Sequence, residues 1–97
     1  MLLWKVKELL EERGVPVVEV GDITRYLEIK VEQAWITIEP RPLYCDRGNF
    51  IVKVTPYGDL ALSLDEQDGF PRYYFGPLAC ADEIHAWMSC RRILPSA

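Results

Sequence analysis

The alternation of apolar and polar residues between Val17 and Phe75 predicts a series of β-strands with one buried and one exposed face. Turn signals rich in glycine, proline or acidic residues separate the strands. The clearest alternation predicts an antiparallel hairpin with a turn near residues 32–33. Its buried face is expected to hold Ile23, Leu27, Ile29, Val31, Ala34, Ile36 and Ile38.

An amphipathic segment over about residues 2–13 predicts a helix before the strands, because its leucines and Val6 recur at helical spacing. Gly14 and Pro16 are expected to end it. Trp4 falls on the polar side of this helix. We expect the first turn to fray and the indole ring to fold under the edge of the sheet.

A second helix is predicted over about residues 77–93, opening on Pro77, which suits a first helical turn. Arg91 and Arg92 are expected in its last turn, where positive charge is favourable to the helix dipole. Its apolar stripe consists of Cys80, Ala81, Ile84, Trp87 and Met88.

These elements predict a single α+β domain over residues 1–97, because a chain of 97 residues supports one hydrophobic core. The expected architecture is an antiparallel meander of five to six strands between about residues 17 and 75, flanked by the N-terminal and C-terminal helices. One of these strands is expected around Leu60, Leu62 and Leu64.

The composition is typical of a folded protein, with 49% hydrophobic residues and a net charge of −4. This acidic excess argues against a general nucleic-acid binder, and it suits docking onto a basic protein surface. No apolar run is long enough to span a membrane, and the three cysteines are an odd number without a CxxC pair. We therefore expect a cytoplasmic protein with reduced thiols.

Candidate catalytic and metal-binding residues do not combine into a recognisable site. The acidic loop from Asp65 to Gly69 does not have the spacing of a calcium-binding loop, because glycine comes fifth and the twelfth position is Gly76. His85 is the sole histidine, and Cys80 and Cys90 lie five residues to either side of it, which is the wrong spacing for one helical face. We expect no enzymatic activity, cofactor or metal.

The exposed face of the predicted hairpin carries aromatic residues beside polar ones, namely Tyr26, Glu28, Trp35 and Thr37. Tyrosine and tryptophan are frequent anchors of protein interfaces. An alternative stays open, because a helix on each side of the sheet would make Tyr26 and Trp35 a second core layer.

In its size, acidity and helix-flanked meander, the chain resembles small inhibitors that phages and mobile elements encode, including anti-CRISPR proteins and toxin-immunity proteins. The likeness is one of class, since no motif carries residues across. Aromatic anchors beside acidic residues suit a partner with a basic surface, so the hypothesis is a non-enzymatic module that occludes or adapts such a protein partner. The docking residues would be the four on the sheet together with Asp65, Glu66 and Asp68. The alternatives are a single-stranded nucleic-acid binder that stacks bases on the sheet aromatics, and a homodimer.

Overall fold

The computed structural model describes residues 3–31, 34–42, 46–56 and 69–91. It confirms an α+β fold in which a helix, a five-stranded antiparallel sheet and a second helix follow one another. The elements are α1 (Leu3–Glu12), β1 (Val18–Val20), β2 (Tyr26–Lys30), β3 (Ala34–Pro40), β4 (Phe50–Pro56), β5 (Arg72–Tyr74) and α2 (Pro77–Cys90).

The sheet is a meander, with its strands in the order β1-β2-β3-β4-β5 and every neighbouring pair antiparallel. Ile29 of β2 lies opposite Ile36 of β3, which lies opposite Val54 of β4. Residues directly opposite each other share a face of the sheet, so this register gathers the apolar positions on one side.

Both helices pack against that apolar face, and their buried side chains form a single cluster with those of the strands. From α1 the cluster receives Leu3, Val6 and Leu10. From α2 it receives the whole predicted stripe, all of which is buried. The Arg13 guanidinium, just after α1, donates a hydrogen bond of 2.5 Å to the Asp82 carboxylate of α2 and links the two helices.

The expectation that β2 begins near Ile23, with that side chain buried, is wrong. The strand begins at Tyr26, and Ile23 is 99% exposed. Val20 pairs with Tyr26, so the five residues between them form the connection from β1 and leave the sheet. The strand alternation therefore breaks down before Tyr26, and apolar character alone does not place Ile23 in the core.

Two expectations about the helix ends are also wrong. Trp4 does not fold under the sheet, and its side chain is 59% exposed. The first turn of α1 is formed from Leu3 onward, and successive residues turn by about 100°, so burying Leu3 directs Trp4 outward. Likewise, α2 ends at Cys90, and Arg91 caps it with its backbone N–H donating to the Trp87 carbonyl at 3.1 Å. Arg92 lies outside the described residues.

The predicted strand around Leu60, Leu62 and Leu64 also lies outside the described residues, as does most of the acidic loop. Gly69, at the end of that loop, has a φ of 71°, a conformation that glycine adopts without a steric cost. In the part of the chain that the structure describes, neither helix has the length and apolar character needed to cross a membrane.

Candidate functional site

The four predicted sheet residues share the face of the sheet opposite the helices, which we call the outer face. Tyr26 and Glu28 alternate with buried residues along β2, and Trp35 and Thr37 do the same along β3. Glu28 lies directly opposite Thr37. The period-two alternation of the strands therefore places all four on one side of the molecule, as the sequence predicted.

These residues line one shallow groove of about 250 Å³ on the outer face. Tyr26 and Trp35 supply aromatic walls, and both side chains are half-buried. The full lining is Tyr26, Glu28, Trp35, Thr37, Glu39 and Lys53. A groove of this size accommodates one or two side chains of a partner, and it is smaller than most small-molecule sites.

The charged side chains in and beside the groove are paired. Lys53 approaches the Glu39 carboxylate at 2.8 Å, and Lys30 approaches that of Glu28 at 3.9 Å. The lysines are at least half exposed, so each pair contributes little to stability, in the range of about 0–1 kcal/mol. The groove is therefore polar and charge-balanced, and its acids are held by lysines of the same sheet.

Neither helix covers the outer face, because both belong to the core cluster on the opposite side. Among the described residues, Tyr26 and Trp35 do not form a second core layer. The alternative that one helix lies on each face is therefore not the arrangement of α1 and α2.

Three predicted docking residues, Asp65, Glu66 and Asp68, lie outside the described residues. The described residues contain equal numbers of acidic and basic side chains. The net charge of −4 therefore comes entirely from the remaining residues, most of it from the acids of residues 57–68. The sequence-wide acidity does not extend to the outer face.

A cluster of two arginines on one tyrosine, which the sequence analysis did not anticipate, lies at a corner of the outer face. The Arg41 and Arg47 guanidinium carbons lie 4.6 Å and 5.7 Å from the centre of the Tyr73 ring. Tyr73 of β5 lies opposite Ile51, which lies opposite Glu39, so its ring belongs to the outer face. We call these three residues the arginine corner.

A second surface missed by the sequence analysis is a groove of about 790 Å³ beside the start of α1. Trp4 and Ile23, two of the most exposed large apolar side chains, line it together with Pro40. The Arg25 guanidinium at its rim is paired with the Glu19 carboxylate at 3.1 Å. The sequence signal for this surface was the isolated position of Ile23 after the Gly21-Asp22 turn, which indicates a residue of the connection and not of the strand.

His85, Cys80 and Cys90 are absent from the linings of both grooves. His85 is half-buried on α2, Cys80 is fully buried, and Cys90 is an exposed free thiol. Burial raises the pKa of the Cys80 thiol to about 12, so it stays protonated at neutral pH and is a poor nucleophile. Within the described ranges, no three side chains of the metal-binding types come together.

Comparison with known proteins gives no family assignment: the chain matches no protein-family model, no curated protein and no solved structure.

Proposed function

We propose that this protein is a non-enzymatic binding module that occludes or adapts a protein partner through its outer face. The observation that supports this proposal most directly is the one-sided packing of the helices. It leaves Tyr26 and Trp35 half-buried beside a groove, on the face of the sheet that neither helix covers. Half-buried aromatic residues in a polar setting are typical anchors of protein interfaces.

The charge pattern favours a protein partner over a nucleic acid at the groove. Lys30 and Lys53 lie beside Glu28 and Glu39, which lowers their attraction for a phosphate backbone. A protein interface tolerates such pairs at its rim, where they influence orientation and association rate. The acids Asp65, Glu66 and Asp68 suit a partner whose adjoining surface is basic.

The proposed setting is the cytoplasm, because Cys80 and Cys90 are free thiols. The likeness in class to phage and mobile-element inhibitors, including anti-CRISPR and immunity proteins, makes an inhibitor the preferred form of the module. In that form it would block a functional surface of the partner.

The test is affinity capture of partners from a lysate of the source organism, repeated after nuclease treatment. Replacing Trp35→Glu removes the largest anchor and introduces a charge, so we expect it to weaken binding of the captured protein about thirtyfold or more. Glu28→Lys should also weaken binding. The matched control Glu12→Lys changes an exposed side chain at the end of α1, away from the outer face, and should leave binding unchanged.

Thermal unfolding of each variant separates lost binding from lost folding. If Trp35→Glu unfolds, the comparison of Glu28→Lys with Glu12→Lys still decides the location of the interface. Equal binding by these two variants would place the interface elsewhere. Capture of nucleic acid alone would favour the single-stranded nucleic-acid alternative, and a concentration-dependent dimer in light scattering would favour self-association.

A further inference from the structure

The arginine corner has unused hydrogen-bonding capacity. Arg41 makes one long side-chain hydrogen bond, 3.5 Å, to the Gly48 carbonyl. Neither Arg41 nor Arg47 has a carboxylate partner among the described residues, and the neighbouring Asp46 forms no ion pair there. Each guanidinium has five N–H donors in a fixed planar arrangement, so most of these donors are available.

Two positive charges share the Tyr73 ring at this corner. Both guanidinium carbons lie within 6 Å of the centre of the Tyr73 ring, and they are therefore at most about 10 Å apart. Like charges repel, and the ring attracts both through its negative face. A ligand with two negative charges would relieve this repulsion and occupy the donors of both side chains.

The backbone around the corner is fixed by the sheet. The Arg41 N–H donates to the Asn49 carbonyl at 2.6 Å, which extends the pairing of β3 with β4. The Asn49 N–H in turn donates to the Tyr74 carbonyl at 2.8 Å, which extends the pairing of β4 with β5. Strand pairing thus brings Arg41 and Tyr73 together, and it places Arg47 two residues before the paired Asn49.

From these observations we propose that the arginine corner binds a phosphate monoester dianion. Arginine recognises phosphate by paired N–H···O bonds, and a phosphate monoester carries a charge of about −1.5 to −2 at pH 7, which matches the two arginines. Arg41 is about 20 Å from Trp35 along β3, at the rise of an extended strand, so the corner adjoins the groove only at its Glu39 end. The proposal does not depend on the protein-binding function.

The probe is inorganic phosphate, titrated into the protein at constant ionic strength with chloride as the reference anion. The readout is the NMR shift of the arginine side-chain Nε–H groups and of the backbone amides of residues 46–49. We expect saturable shifts at Arg41 and Arg47 that weaken as the pH is lowered and the phosphate dianion takes up a proton.

Matched variants locate the site. Arg41→Gln and Arg47→Gln should each weaken phosphate binding about tenfold, the effect of losing a charge-assisted hydrogen bond. Arg25→Gln should leave it unchanged, because that arginine already has Glu19 as a partner. Tyr73→Leu should weaken binding and Tyr73→Phe should preserve it, since the ring positions both guanidinium groups.

Three further ligands distinguish the sources of the phosphate. Phosphotyrosine and adenosine monophosphate carry the monoester dianion, and a short oligothymidylate carries only monoanionic diesters. We expect the first two to compete with inorganic phosphate and the oligothymidylate to compete poorly. The proposal is overturned if the arginine signals do not move with phosphate into the tens of millimolar, if Arg25→Gln is as damaging as the corner variants, or if the oligothymidylate binds best.

Discussion

Trp4 and Trp87 both lie on helices, yet one ring is exposed and the other is packed in the core. Trp87 is buried on α2 and meets Phe70 edge to face, with ring centres 5.0 Å apart. The helical pattern predicted the burial of Trp87 because its neighbours on the stripe are apolar. The same pattern placed Trp4 on the polar side of α1. We expected Trp4 to be buried only because the ring is large, and the size of a side chain does not determine which way it points.

Alanine substitutions at these two positions should have unequal effects on stability. Trp87→Ala leaves a large cavity in the core and should lower the free energy of unfolding by about 3–5 kcal/mol. Trp4→Ala removes a mostly exposed ring and should change it by less than about 0.5 kcal/mol. Urea unfolding followed by circular dichroism measures both, and comparable losses would show that Trp4 is a packing residue.

Cys80 links the stability of the core to alkaline pH. Burial raises its pKa from an ordinary value of 9.0 to about 12. Above pH 9 the unfolded chain releases this proton and the folded chain keeps it, so stability is full below pH 9 and is lost as the pH rises towards 12. Burial also raises the pKa of Tyr74, which acts in the same direction.

The contribution of Cys80 is measured by comparing the pH dependence of unfolding in the natural protein and in Cys80→Ala. We expect the natural protein to lose stability more steeply above pH 9, by up to about 1.4 kcal/mol for each pH unit. The alanine variant starts from a lower stability because of its small cavity, so the slopes and not the absolute values are compared. Parallel slopes would contradict the assignment.

At the scale of elements, β3 and β4 follow the sequence pattern closely, because alternation and flanking prolines define both their faces and their ends. The start of β2 does not follow the pattern. The strand begins where Tyr26 pairs with Val20, and not at Ile23, the first apolar residue of the predicted strand. The end of α2 also differs from the prediction of about residue 93: the helix ends at Cys90 and Arg91 caps it, because a basic side chain suits the last turn and the cap equally well.

Gly48 controls how closely the segment before β4 approaches β5. Its φ is +139°, and a Cβ atom there would lie 2.5 Å from the Tyr74 carbonyl oxygen. Gly48→Ala should therefore lower stability and displace the Asn49–Tyr74 hydrogen bond. The matched Gly14→Ala has a φ of +80° with no atom within 4 Å of the added carbon, so it should show only the conformational cost of about 1 kcal/mol.

Hydrogen exchange of the Asn49 amide, together with urea unfolding, measures this difference. We expect faster exchange in Gly48→Ala than in Gly14→Ala, and weaker phosphate binding in the former because Arg47 adjoins the displaced residue. Equal stability and unchanged exchange in the two variants would show that the backbone at residue 48 adjusts freely.

For the whole molecule, the sequence predicts which side chains share the outer face, because the two-residue period of a strand determines its faces. It does not predict that this face stays clear of both helices, because each helix has an apolar stripe that could pack against either side of a sheet. Nor does it reveal the arginine corner, which depends on the pairing of β4 with β5 and on the short distance between residues far apart in sequence.

The three tryptophans lie in three different environments: Trp4 in the groove beside α1, Trp35 on the outer face and Trp87 in the core. Indole emission moves to shorter wavelength when the ring leaves water, so each ring senses a different event. Retaining one tryptophan at a time, with phenylalanine at the other two positions, converts the natural chain into three fluorescent sensors. They report respectively on filling of the groove, partner binding at the sheet and unfolding of the core, without an attached dye.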